Sequence, residues 1–193
     1  MTDAALRREA SLHATAVVYG EFGVLILGPS GSGKSALALA LMARASSQGA
    51  FSALIGDDRI FVSKAHGRLI ARGASNMAGV IERRTAGLLA VRHEPATVVR
   101  LAVELCERER RWPRMPDDDK GLAVGEVTLP RLALDSGQSA CDQALVVDER
   151  LAALAAESST VLGILLEHCA AVHKMGALSI RRPSCAPERE PID

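Results

Sequence analysis

The chain reads as an α/β domain built around a phosphate-binding loop. Three observations carry that reading. An apolar run at residues 23–27 ends in GPSGSGKS, an Ala- and Leu-rich segment follows directly, and residues 98–105 alternate in polarity. In that last stretch Val99, Leu101, Val103 and Leu105 share one face and Arg100, Ala102 and Glu104 the other, the period of a half-buried strand.

Residues 11–18 are apolar and β-branched, and Tyr19 to Gly23 has the composition of a turn. With residues 23–27 they predict a hairpin feeding the Gly-rich loop. Residues 34–46 predict a helix from their Ala and Leu content, with Gly49 as its stop. Short strands are predicted at 52–55, 60–62 and 69–71, with Gly56 and Gly67 as breakers. The charged, Pro-containing stretch ERERRWPRMPDDDK (107–120) predicts a solvated loop. Residues 124–134 are strand-like with a break at Pro130, and residues 149–171 return to helical composition. The expected organisation is a phosphate-loop domain over residues 1–140, a helical segment over 141–180, and a disordered tail over 181–193, which carries three prolines and mixed charge.

The 193 residues suffice for one domain with a real core, since 48% are apolar. Aromatics make up only 3%, so aliphatic side chains and alanine must fill that core. The 23 basic and 23 acidic residues balance, which gives no broad electrostatic reason to expect a nucleic-acid or membrane partner. The first nine residues mix both charge signs and lack the apolar centre of a secretory signal. No apolar run approaches the roughly 20 residues of a membrane span. The four cysteines are scattered without a CxxC pair, which argues against zinc and for reduced thiols in a cytoplasm.

Gly28-Pro29-Ser30-Gly31-Ser32-Gly33-Lys34-Ser35 satisfies G-x-x-x-x-G-K-[ST] between a strand and a helix. The glycines permit close backbone approach, so successive N–H groups can line one anion-binding concavity. The following helix adds the positive end of its dipole. Lys34 supplies a cation for the outer phosphates and Ser35 a hydroxyl for Mg²⁺. Nucleotide binding follows, but not the fate of the phosphate. No NKxD base reader of a GTPase is present. The chain instead offers two adjacent carboxylates, Asp57 and Asp58, just past the predicted strand at 52–55. Neighbours on a strand face opposite ways, so the two need not share one role.

His13 in SLHATAV, the phosphate loop, GDDRI at 56–60 and VIERRTAGLLAV at 80–91 stand in the order and spacing of the HPr kinase/phosphorylase catalytic domain. Residues 12–134 resemble that family of bacterial serine kinases acting on the phosphocarrier HPr. Glu82, Arg84, Gly87 and Val91 fall on positions of the family signature E-I-R-G-L-G-I-I-D/N-V. Arg83, Thr85 and Ala90 depart from it, standing where an aliphatic residue, a glycine and an acid or amide are usual. Ala36 stands where many members have Glu, and VTLPRLALD at 127–135 replaces a segment tied to dephosphorylation. His13 lies almost at the start, so the resemblance implies a short form consisting of the C-terminal catalytic domain.

The resemblance implies a P-loop fold like that of phosphoenolpyruvate carboxykinase, a mixed sheet with flanking helices. It implies ATP and Mg²⁺ as cofactors, HPr as partner and a cytoplasmic enzyme, with hexamers in long members as precedent for a homo-oligomer. Lys34 and the loop from Gly28 to Ser35 would hold the phosphates, and Ser35 and Glu82 the Mg²⁺. Asp58 matches the family's acid–base position, with Asp57 supporting it and His13 close to the pair. Arg114 corresponds to an arginine near the transferring phosphate. In reverse the same site would dephosphorylate HPr by phosphorolysis. Two other readings stay open: a P-loop kinase of a small molecule, and a regulator that senses ATP without transferring phosphate.

Overall fold

The computed structural model describes residues 9–107 and 121–176, as backbone alone beyond Ser159. The charged loop with Arg114, and the expected tail at 181–193, lie outside the described residues. Contacts divide the chain into two units, Met1–Leu151 and Ala152–Asp193. The first contains every element that forms the site. The second is described only as the continuation of the long C-terminal helix.

The centre of the first unit is the strand predicted from alternation, β9 (Ala96–Cys106). It pairs in parallel with β3 (Phe22–Leu27) on one side. On its other side its first half pairs antiparallel with β6 (Arg68–Gly73), and its second half in parallel with β12 (Arg131–Asp135). Around this axis the order is β1 (Ala10–Leu12), β5 (Ile60–Ala65), β6, β9, β3, β2 (Thr15–Tyr19), β4 (Ser52–Gly56). The expected single strand over 11–18 is therefore two strands, interrupted at His13 and Ala14. Five strand spacings separate β1 from β2 in the order, roughly 24 Å if the sheet were flat. The chain from Leu12 to Thr15 can span only about 10 Å. The sheet must curl to bring these strands together, and His13 lies where it closes.

One face of the sheet buries Ala14, Ala16, Leu25, Ile55, Ile60, Val62, Leu69, Ala71, Val99 and Ala102. A hairpin of β10 (Leu122–Val124) and β11 (Val127–Leu129) covers it with Val124, Val127 and Leu129. The strand expected over 124–134 is thus three short ones, because Gly125 turns the chain at φ +59 and Pro130 ends the second. Val24 and Ile26, fully buried, alternate to the opposite face. There α1 (Lys34–Ser47) packs against β2, β3 and β4 and buries Leu37, Ala38, Leu41 and Ala45.

The helix expected from residue 149 begins nine residues earlier, as α2 (Ala140–Gly176). Ser139 caps it: its hydroxyl accepts from the Asp142 amide at 3.1 Å and donates to the Asp142 carboxylate at 2.7 Å. The apolar stretch at 161–171 lies in the part described only as backbone. Among the described residues no helix is long and apolar enough to cross a membrane.

Asp148 ties the start of α2 to the domain. Its carboxylate accepts from Arg44 Nε at 2.6 Å, Gln48 Nε2 at 3.0 Å and the Tyr19 hydroxyl at 2.8 Å. Desolvation works to raise the Asp148 pKa, but these hydrogen bonds and the Arg44 charge outweigh it and hold the carboxyl below its usual range. Burial, then the hydrogen bond and charge of Asp148, push the Tyr19 hydroxyl up to about 12. A phenol whose folded pKa is raised stabilises the fold fully below its unfolded value, near 10, and loses that contribution as pH rises toward 12. Tyr19 is the only tyrosine, so tyrosinate absorbance reads it directly. Titration of the folded protein should show a midpoint near 12, falling to about 10 in denaturant. A folded-state midpoint near 10 would contradict the Asp148 anchor.

Candidate active site

The loop from Gly28 to Ser35 leaves β3 at its C-terminal end and enters α1 at Lys34. Gly31 and Gly33 adopt φ +79 and +99, a region in which a side chain is strained. The expected order of strand, loop and helix is met, the strand ending at Leu27 and the helix starting at Lys34. Lys34 is only 6% exposed, so its ammonium is held inside the site. Its Nζ donates to the carbonyls of Gly28 at 3.0 Å and Pro29 at 2.9 Å, and to His13 Nε2 at 3.1 Å.

That last contact fixes the imidazole. An ammonium has no lone pair to offer, so Nε2 accepts and the ring proton sits on Nδ1. His13 Nδ1 in turn faces Asp58, 3.2 Å from its carbonyl oxygen and 3.4 Å from its carboxylate. His13 therefore links the loop lysine to the second carboxylate of the pair.

Asp57 and Asp58 do not lie on a strand, as the opposite-face argument supposed. They follow the end of β4 on a bend, and Asp58 turns through φ +66, a conformation aspartate tolerates better than most residues. The two side chains diverge for that reason. Asp58 points out, with its side chain 79% exposed. Asp57 points into the site. Its carboxylate accepts from Thr15 Oγ1 at 2.6 Å, from Ser35 Oγ at 3.1 Å to both oxygens, and from the Glu82 amide at 3.2 Å.

Glu82 arrives on a separate hairpin, β7 (Val80–Arg83) and β8 (Gly87–Ala90). Ile81 is fully buried and anchors it, while Glu82, Arg83 and Arg84 stay exposed. The Arg84 guanidinium reaches the loop, lying 3.1 Å from where a side chain at Gly31 would begin. His13, Ser30, Gly31, Gly33, Lys34, Ser35, Asp57, Asp58 and Glu82 thus line one cavity of about 440 Å³, with Arg83 and Arg84. Gly28 and Pro29 reach the site through their carbonyls on Lys34. Ser32 does not line the cavity, and its buried hydroxyl has no hydrogen-bond partner. Sequence reasoning missed Thr15, because a single threonine on a strand carries no local signal. It also gave Arg83 no role.

The cavity gathers three cations (Lys34, Arg83, Arg84) and three carboxylates (Asp57, Asp58, Glu82). Such a set can hold polyphosphate, offer hard oxygen ligands to a cation, and present a base at the rim. Among the described residues no cluster of three or more His, Cys, Asp and Glu forms a metal cage. A Mg²⁺ site shared with phosphates requires none, since that ion keeps only one or two protein carboxylates.

The profile of the HPr Serine kinase C-terminal domain matches residues 4–160. No curated protein matches the chain significantly. Among solved structures, the Hpr(Ser) kinase/phosphatase from Coxiella burnetii is similar in fold, with a TM-score of 0.60. It shares 24% identity, and the match covers 75% of this chain and 98% of that one. The chain belongs to the HPr serine kinase C-terminal domain family, which supports an HPr serine kinase function and hence a phosphotransferase.

Thr85, standing where the family signature has glycine, turns the β7–β8 hairpin at φ +70. A β-branched residue in that region is strained. Thr85→Gly should therefore raise the protein's stability by about 1–2 kcal/mol, measured by denaturant unfolding. Destabilisation by the glycine would show that the threonine hydroxyl, bonded to the Arg84 carbonyl at 2.5 Å, outweighs the strain.

Proposed function

We propose that this member of the HPr serine kinase C-terminal domain family uses ATP and Mg²⁺ to phosphorylate a serine of HPr, with Asp58 as the base. The observation that supports this most is the convergence of a complete phosphate loop, both aspartates and Glu82 on one cavity. The loop amides and Lys34 would bind the phosphates, exchanging the carbonyl contacts of Lys34 for phosphate oxygens. Arg84, already against the loop at Gly31, would add a planar donor to the same anion.

The donor chemistry fits Mg²⁺. Ser35 Oγ and the Glu82 carboxylate would hold it, and the Asp57 carboxylate lies 3.1 Å from Ser35 Oγ. Bound there, the ion would neutralise charge on the phosphates during transfer. Asp57 then acts through Ser35 and the Glu82 backbone.

Asp58 is the carboxylate an incoming protein can reach. It would accept the proton of the substrate hydroxyl as the serine oxygen bonds to the terminal phosphorus and the bond to the bridging oxygen breaks. His13 orients Asp58 and passes the influence of the Lys34 ammonium to it. In the reverse direction, inorganic phosphate would attack the phosphoserine phosphorus. The bond to the serine oxygen would break, and protonated Asp58 would return its proton to that oxygen, leaving pyrophosphate and serine.

The test is incubation with ATP, Mg²⁺ and purified HPr, followed by detection of phosphoserine on HPr. Transfer only to a small molecule, or nucleotide binding without transfer, would overturn the proposal. Two variants then test the roles. Asp58→Asn should keep nucleotide affinity while single-turnover transfer drops by about 10²–10⁴. A dead Asp57→Asn beside a nearly normal Asp58→Asn would reverse the pair. Lys34→Ala should both weaken ATP binding and abolish transfer, and wild-type transfer by that protein would remove the loop from the mechanism.

A further inference from the structure

Thr15 is fully buried, a polar side chain in a strand whose other residues are Ala, Val and Tyr. A buried hydroxyl needs a partner, and this one has the shortest of the contacts to Asp57, 2.6 Å to Oδ1. The sheet arranges the meeting. β2 and β4 run antiparallel with Val17 opposite Leu54, but Ala16 stands opposite Gly56 rather than Ile55. The extra residue on β4 is a bulge, which re-aims the side chains beyond it. Beyond Ala16 and Gly56 the next two residues are Thr15 and Asp57, so the bulge sets this pair face to face.

Asp57 is anchored from three directions. Thr15 holds Oδ1, the Glu82 amide holds Oδ2, and Ser35 donates to both. The Ser35 and Glu82 contacts come from groups that line the cavity. Of these three donors Thr15 is the one that approaches from the buried sheet, so it ties the carboxylate to the strands beneath the cavity. A hydroxyl that donates its proton to a fixed carboxylate keeps its lone pairs for a cation. The orientation of Ser35 Oγ thus depends on the orientation of Asp57.

We propose that Thr15 is a positioning residue for the metal site: by fixing the Asp57 carboxylate it orients Ser35 Oγ and, through the Glu82 amide bound to Asp57, sets the Glu82 carboxylate for Mg²⁺. The inference rests on the Mg²⁺ assignment above and adds a residue that never touches the ion. Partners at that remove typically change metal affinity by about 10–100-fold when lost.

The test uses the intact protein and a fluorescent ATP analogue, titrated with Mg²⁺ and separately in chelator, so that the readout is binding and not turnover. Thr15→Val removes the donor at nearly constant shape and should raise the Mg²⁺ concentration for half-maximal enhancement of binding by about 10-fold or more. Affinity in chelator should stay unchanged. Thr15→Ser restores the hydroxyl and should return the Mg²⁺ dependence to wild type. Thr15→Ala, smaller and without the hydroxyl, should repeat the valine result if valine disturbs folding. A wild-type Mg²⁺ curve for a folded valine or alanine variant would overturn the inference. So would equal losses with and without metal, or failure of serine to rescue. If wild-type protein itself bound the analogue identically with Mg²⁺ and chelator, the metal assignment would fail instead.

Discussion

The site depends on one carboxylate being held still. Asp57 has no covalent constraint beyond its own backbone, yet donors from three separate parts of the chain converge on it: Thr15 on β2, Ser35 at the start of α1, and the Glu82 amide on the β7–β8 hairpin. These lie 42, 22 and 25 residues from Asp57 in sequence. Among the described residues this common acceptor links the phosphate loop and the signature hairpin to the end of β4. A charged acceptor strengthens each bond, and a low local dielectric makes an unmade one costly. The same network that assembles the site therefore also stabilises it.

The two aspartates show how a single backbone angle divides labour. Sequence neighbours would be expected to differ by strand alternation, but here the left-handed turn at Asp58 separates them. It leaves Asp57 engaged inside the site and Asp58 open at the rim beside His13. A protein substrate can approach only what is exposed, whereas a cation beneath the phosphates requires ligands set deeper. Lys34 links the two halves, because its ammonium both closes the loop and contacts the imidazole that faces Asp58.

What was legible in the sequence followed from how local its cause is. The phosphate loop was readable because eight consecutive residues carry its geometry, and β9 because alternation marks a strand. The faces of β9 were not, because a register shift between Val99 and Leu101 puts Val99 with Ala102, and Ala102 is buried as well. The short strands around Gly56 and Gly67 were placed within a few residues because their signals too are local. The break at His13 was not readable. It follows from curling of the sheet, which no single strand encodes. The early start of α2 did leave a signal, Ser139 followed three residues later by Asp142, which the search for Leu-rich periodicity passed over. Glu82 was found only through resemblance, since an exposed glutamate on a short hairpin has no chemistry of its own. Thr15 was missed because its meaning lies in register with a strand far along the chain.

The claim that Asp57 is the hub is tested most directly by the backbone amide of Glu82, observed by ¹H–¹⁵N correlation. An amide donating to a carboxylate is deshielded, and neutralising its acceptor weakens that bond. Asp57→Asn should move the Glu82 amide proton upfield, while Asp58→Asn leaves it in place. A Glu82 amide that ignores Asp57→Asn, or that follows Asp58→Asn instead, would contradict the arrangement on which the site's chemistry rests.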